Sequence, residues 1–175
     1  MTESNLLKGK KILIVDDDLD ILEVLEDLLP MCRSVRASTF EQAKQLLESE
    51  PFDAAVLDIM GVSGYDLLQI ANANDVPALM LTAQAFTPDN MIKSVAEGAA
   101  SYMPKEEISR IEDFLNDIFV ARIKGESPWI SWQKRLPTSY FQTRFGAAWK
   151  KADRQFLNTL KTAIKNRPRT DTDGQ

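Results

Sequence analysis

The stretch that most constrains this chain is Ile12 to Asp18, which reads I-L-I-V-D-D-D. Its four apolar residues show no 3.6-residue period and are too few to cross a membrane. They read as a strand buried on both faces, the kind that parallel sheets contain. Three carboxylates then stand together where that strand ends. Their mutual repulsion raises the cost of ionising all three, so something positive should lie close by. A hard divalent cation suits such oxygen ligands, and Mg2+ commonly uses one or two carboxylates with waters and a phosphate. The plainer reading of this stretch by itself is an acidic turn after a core strand.

The rest of the chain repeats the pattern. Leu19 to Leu29 has Leu22, Leu25, Leu28 and Leu29 on a helical face, with Pro30 as its stop. Ser34 to Ser38 reads as a short strand, and Thr39 to Glu48 as a helix capped by Thr39. Asp53 to Asp58 (D-A-A-V-L-D) is a second apolar run ending in an acid, followed by a helix over Gly64 to Ala73. Pro77 to Leu81 is a further strand, followed by Thr82. Thr87-Pro88 opens a helix that Gly98 ends. Ala99 to Met103 is the last strand, followed by Pro104-Lys105, and the spacing from Glu106 to about Lys124 predicts a helix stopped by Gly125. Five alternations of strand and helix predict an α/β fold, a five-stranded parallel sheet with helices on both faces. Ligands bind beyond the carboxyl ends of such strands. Asp16, Asp17, Asp58, Thr82 and Lys105 all fall at strand ends and should converge on one rim.

Composition removes several kinds of chemistry. The chain has no histidine, which excludes Ser-His-Asp and Cys-His catalysis and imidazole metal ligation. Cys32 is the only cysteine, so there is neither an intrachain disulfide nor a cysteine zinc site. No stretch approaches the length of a membrane helix, and the N-terminus lacks the apolar region of a signal peptide, so the expected location is cytoplasmic. The net charge of -5 hides a split: residues 1–120 carry 9 basic and 22 acidic side chains, residues 121–175 carry 12 and 4. That asymmetry marks two units, a domain over 1–124 and a basic, aromatic-rich helical tail over 125–175.

Four motifs in order, V-D-D-D at 15–18, L-D-I-M at 57–60, M-L-T-A at 80–83 and Y-M-P-K at 102–105, resemble the signature of two-component response-regulator receiver domains. The resemblance covers roughly residues 10 to 123 and implies the flavodoxin-like strand order 2-1-3-4-5. It implies that Asp58 is a phosphoacceptor, since a carboxylate can hold a phosphoryl group as an acyl phosphate. Asp17 directly, Asp16 through water, Asp58 and the Met60 carbonyl would hold Mg2+, which neutralises and aligns the transferring group. Lys105 would pair with Asp58 and then with phosphoryl oxygens, the Thr82 hydroxyl and Ala83 amide would bond another oxygen, and Tyr102 would rotate inward as Thr82 moves. Phosphoryl groups would come from a sensor histidine kinase or phosphotransfer protein. The chain would be a phosphoacceptor switch with autodephosphorylation open to it, and not an enzyme in the ordinary sense.

Two departures stand out. Gly61 to Gly64 is a short loop without the family's customary proline. The family's proline follows the lysine, often through a cis bond, whereas here Pro104 precedes Lys105 and Glu106 follows it. A cis bond before Glu106 would cost several kcal/mol, so it is not expected.

Residues 125–175 resemble no output domain. Gly125 to Pro137 reads as a loop and a short helix holding Trp129 and Trp132. From Thr138 the spacing predicts one helix of about 28 residues spanning about 40 Å. Phe141, Phe145, Trp149, Phe156 and Leu160 fall on one face and Arg144, Lys150, Lys151, Arg154, Lys161 and Lys165 on the other. Pro168 stops the helix, and Arg169 to Gln175 is expected to be disordered. The apolar face calls for burial on the chain's own domain or in a homodimer, and no compact three-helix pattern is expected. Use of the basic face on nucleic acid, as in a DNA-binding transcription regulator, is the alternative. A third reading is a phosphohydrolase resembling haloacid-dehalogenase-type enzymes, with Asp16 and Asp18 as its acids, but it leaves Asp58 unexplained.

Overall fold

The computed structural model describes residues 5–83 and 87–165. The elements run β1 (Lys11–Val15), α1 (Leu19–Leu28), β2 (Arg33–Ala37), α2 (Phe40–Ser49), β3 (Ala54–Asp58), α3 (Gly64–Ala73), β4 (Ala78–Thr82), α4 (Pro88–Ala96) and β5 (Ser101–Pro104). A 3-10 helix (Lys105–Arg110) leads into α5 (Ile111–Lys124), and the tail forms α6 (Trp129–Arg135), α7 (Thr138–Phe145) and α8 (Ala147–Lys165).

All five strands are parallel, in the order β2-β1-β3-β4-β5. Every residue of β3 and β4 is buried, as expected for strands covered on both faces. Helix starts follow local chemistry. The Asp18 carboxylate accepts from the Asp20 amide, Thr39 from Gln42 and Thr87 from Asn90, each satisfying an otherwise unpaired first-turn N–H. Asp18, whose role the sequence left open, is therefore the N-cap of α1. Gly125, at φ 67°, ends α5 in the left-handed conformation that glycine adopts without penalty.

Two helices differ from the form their spacing predicts. The helix predicted from Glu106 begins as a 3-10 turn, and only from Ile111 does it become α-helical. The single long helix predicted from Thr138 is two, broken at Gly146, whose φ of 55° and ψ of -126° lie outside any helix. The apolar spacing continues through the break because Phe141, Phe145 and Trp149 stack on one another across it, with Phe141–Trp149 ring centroids 5.0 Å apart and Phe145–Trp149 6.3 Å apart. A compact three-helix unit thus forms where none was expected. The disordered end expected over 169–175 lies outside the described residues.

This unit packs on the chain's own domain. α8 lies along α4, and α6 sits between α5 and α8. Trp132, Phe141, Trp149 and Phe156 form an aromatic cluster with centroid separations of 5.0 to 6.0 Å, and all four side chains are buried. The outermost strand, β5, would otherwise present unpaired carbonyls. Two indoles meet carbonyls at this edge: Trp132 Nε1 donates to the Tyr102 carbonyl within the strand at 2.7 Å, and Trp129 Nε1 to the Ala99 carbonyl just before it at 3.1 Å. Arg135 grips Asp117 of α5 with two hydrogen bonds of 2.8 and 3.0 Å. No described helix is long and apolar enough to cross a membrane.

Trp132→Phe keeps most of the ring packing and removes only the indole donor. The buried Tyr102 carbonyl then loses this donor, and we expect a loss of about 1–3 kcal/mol in urea denaturation of the full chain. An unchanged midpoint would mean that the edge carbonyl needs no tail donor.

Candidate metal centre

Strand order reverses between β1 and β3, and a parallel sheet opens a crevice at such a point beyond its carboxyl ends. β1 runs into Asp16 and Asp17 there, and β3 ends on Asp58. The three side chains each place a carboxylate oxygen within 4.8 Å of the others. Asp16 is fully buried, Asp58 is 4% exposed, and Asp17 is exposed.

Polar partners for this charge are few. Asp16 Oδ1 accepts from the Asp18 amide at 2.9 Å. Its Oδ2 lies 2.7 Å from the Lys105 ammonium and has no other partner among the described residues. The same ammonium lies 3.2 Å from Asp58 Oδ1. Lys105 thus pairs with both acids and lies closer to Asp16, where the sequence analysis paired it with Asp58. Burial raises the Asp58 carboxyl to about 6, and the neighbouring Asp16 charge adds to the rise against the pull of Lys105. Asp16 is likewise raised, by burial first. Burial pulls Lys105 down, but its hydrogen bond to Asp16 and the charges of both acids outweigh that and leave it raised. One lysine does not neutralise three carboxylates. The cluster has the oxygen donors, the small spacing and the excess negative charge that fit a hard divalent cation.

The short loop after β3 is shaped around the site by two glycines. Gly61 sits at φ 84°, and a β-carbon there would stand 2.6 Å from the Asp17 carboxylate. A β-carbon on Gly64 would stand 2.2 Å from the Asp58 carbonyl. Ser63 holds a left-handed φ of 53° between them. A larger side chain at either glycine would push the loop off the acids. In the sequence these glycines read only as part of a short loop; their spacing directly after Asp58 was the available signal of a close approach. The Met60 side chain is exposed, so any metal contact from it would have to be through the backbone.

Thr82 is fully buried at the end of β4, and Ala83 follows it on the surface. Tyr102 faces Met80 in register on β5, and Thr82 faces Pro104. The Tyr102 side chain is already fully buried, its hydroxyl bonded to the Thr87 backbone and its ionisation pushed far up by burial. In this conformation the Tyr102 ring already lies inward. Among the described residues there is no cis peptide bond, and the bond after Lys105 is trans.

Residues 12–116 match the family model described as the response regulator receiver domain. Among curated proteins, the chain is 34% identical over 116 residues to the two-component response regulator ARR12 of Arabidopsis thaliana, covering 62% of this chain and 19% of that protein. It is 39% identical over 116 residues to a protein of Guillardia theta described as "Probable transcriptional regulator ycf27", covering 61% and 45%. Among solved structures, a CheY-like response regulator receiver domain protein from Methanospirillum hungatei JF-1 superimposes with a TM-score of 0.54 at 26% identity, over 63% of this chain and 96% of that one. The chain therefore spans less than half the length of both curated relatives named. The family match ends inside α5, so the three tail helices lie outside it.

The raised Asp58 carboxyl gives the fold a distinct pH response in the absence of divalent metal. The unfolded chain ionises this group near 3.8 and the folded chain near 6, so the folded state holds more protons in between. Stability should therefore fall as pH rises from about 4 to about 6 and then level off. Asp58→Asn removes that loss. We expect it to exceed the parent by about 2–3 kcal/mol in urea denaturation at pH 7.5 in chelator, with the gap closing near pH 4. A gap that does not change with pH would show that Asp58 is not the destabilised carboxyl.

Proposed function

The chain belongs to the response regulator receiver family, and from that premise we propose that it accepts a phosphoryl group on Asp58 and serves as a switch in a phosphorelay. The observation that carries this reading is the convergence of Asp16, Asp17 and Asp58 at one strand-order reversal with Lys105 bridging two of them. Asp58, nearly buried but still reachable from the rim, is the nucleophile. Asp16, Asp17 and Asp58 would hold Mg2+, with the Met60 carbonyl completing the protein ligands. When bound, the ion neutralises charge on the incoming phosphoryl oxygens. Lys105 sits where it can move from Asp58 to a phosphoryl oxygen without leaving Asp16. Thr82 and the Ala83 amide stand at the adjoining strand end to receive a further oxygen. Tyr102, buried beside this strand, serves the switch through packing and its Thr87 bond rather than by turning in from solvent.

The donor would be a sensor histidine kinase or a phosphotransfer protein, and the protein would act in the cytoplasm as a stoichiometric acceptor rather than a turnover enzyme. The boundary between switch and tail falls after Lys124, where Gly125 ends α5. The phosphohydrolase reading loses its second acid, because Asp18 is spent as the cap of α1. The nucleic-acid reading rests on Lys150, Arg154, Lys161 and Lys165, all exposed along α8. It is the less favoured one, since the apolar side of that helix is committed to the chain's own domain. A homodimer would need another surface for the same reason.

Full-length protein incubated with Mg2+ and acetyl phosphate should gain one phosphoryl group by intact mass, and Asp58→Asn should gain none. Lys105→Ala should slow labelling by on the order of a hundredfold, the scale of losing one pre-placed electrostatic donor. Labelling that survives Asp58→Asn but is lost in Asp16→Asn would move the acceptor to the other acid.

A further inference from the structure

Lys105 lies just past the end of β5, where the strand ladder no longer holds it. It follows Pro104, which has no N–H to give the β-ladder, and it opens a 3-10 helix that has no side-chain cap. Short 3-10 turns have poorer hydrogen-bond geometry than α-helix. The lysine side chain is itself flexible, so where its ammonium reaches depends on how the backbone is held.

Tail groups bond to the segment on both sides of Lys105, to its backbone at Tyr102 and to side chains at Glu106 and Arg110. Three residues before Lys105, the Tyr102 carbonyl accepts from Trp132 Nε1 at 2.7 Å. One residue after it, Glu106 Oε1 accepts from the Tyr140 hydroxyl at 2.9 Å and from Arg144 Nε at 3.2 Å. Five residues after it, Arg110 Nη2 donates to the Arg135 carbonyl at 3.1 Å. The first bond comes from α6, the second and third from α7, and the last ends on the C-terminus of α6. The tail partners in all four bonds, Trp132, Arg135, Tyr140 and Arg144, lie outside the segment that matches the family model.

We propose that the C-terminal helices position Lys105, with Tyr140 and Arg144 acting through Glu106 and Trp132 acting through Tyr102. The inference rests on the reading of Asp58 as phosphoacceptor. Tyr140 and Arg144 are positioning residues that touch neither Asp58 nor its ligands. Their bonds to Glu106 lie at the surface, where such pairs are individually weak, so their combined effect is a modest change in rate rather than loss of the reaction.

The test uses the full chain with acetyl phosphate and Mg2+, comparing the parent, Glu106→Gln, and Tyr140→Phe combined with Arg144→Gln. The maximal labelling rate of Asp58 should fall by about two- to fivefold, with the acetyl phosphate concentration at half-maximal rate unchanged. The same substitutions made on Lys105→Ala should have no further effect, because their influence passes through that lysine. In metal-free protein, amide hydrogen exchange over 101–110 should quicken in the double variant while exchange in β1 and β3 stays as in the parent. Equal labelling rates in parent and variants overturn the proposal, as does a rate loss that persists in the Lys105→Ala background. If the parent itself takes no label, or Asp58→Asn still does, the phosphoacceptor reading fails instead.

Discussion

The arrangement depends on one ammonium group placed among carboxylates that the fold has forced together. Asp16 and Asp58 are buried at adjacent strand ends; the Asp16 charge raises the cost of ionising Asp58, and Asp17 raises that of Asp16. Removing one charge from such a cluster is favourable, and so is adding a cation. Lys105 supplies only part of the compensation, at 2.7 Å from one acid and 3.2 Å from the other. The site is therefore held in a state that a divalent cation relieves. That shortfall makes the acids poor contributors to stability and good ligands, the usual exchange at a functional site.

The sheet explains why such a cluster can exist. Parallel strands with helical connections deliver every carboxyl end to the same rim, and the reversal of order between β1 and β3 leaves a gap there that no connecting helix covers. The core beneath is apolar from Ile12 to Val15 and from Ala54 to Leu57, and it fixes the strand ends rigidly. Close approach of the loop after β3 is possible only because Gly61 and Gly64 present no side chain toward Asp17 and the Asp58 carbonyl. Charge, topology and the two glycines thus describe a single constraint, that the backbone must come near enough for three acids to share a small space.

Much of this was legible in the residues. Strands buried on both faces show as continuous apolar runs, and Thr39, Thr87 and Gly125 mark helix ends by chemistry that acts within a few residues. The Asp16, Asp17 and Asp58 cluster followed because alternation of strand and helix implies one functional rim. What could not be read was set by contacts distant in sequence. The Lys105 preference for Asp16 depends on where β5 stands relative to β1, two strands that never pair. The break at Gly146 was masked by an apolar spacing that a helix–turn–helix satisfies as well as one helix does, because aromatic rings stack across the gap. Asp18 was given no role in the receiver resemblance although the rule that caps α1 with it is local; its place in a run of acids hid its separate role.

The tail raises the question of what its basic charge is for. Opposite net charges on the two parts of the chain invite the view that the tail is held electrostatically. The contacts argue otherwise. The interface is built from Trp132, Phe141, Trp149, Phe156 and Leu160, all buried, with indole bonds to the β5 edge. Of the tail's cations, Arg135 and Arg144 pair with acids of the domain, while Lys150, Lys151, Arg154, Lys161 and Lys165 remain exposed on α8. Aromatic burial of this kind is insensitive to salt, whereas surface charge is screened within roughly 10 Å at ordinary ionic strength. The docking of the tail and its electrostatic field are therefore separable properties. Docking belongs to the apolar face, with polar contacts along the segment from Tyr102 to Arg110. The basic face lies outward and keeps the asymmetry of the chain available to the solvent side, so a change that loosened the docking would leave that field intact while altering where it points.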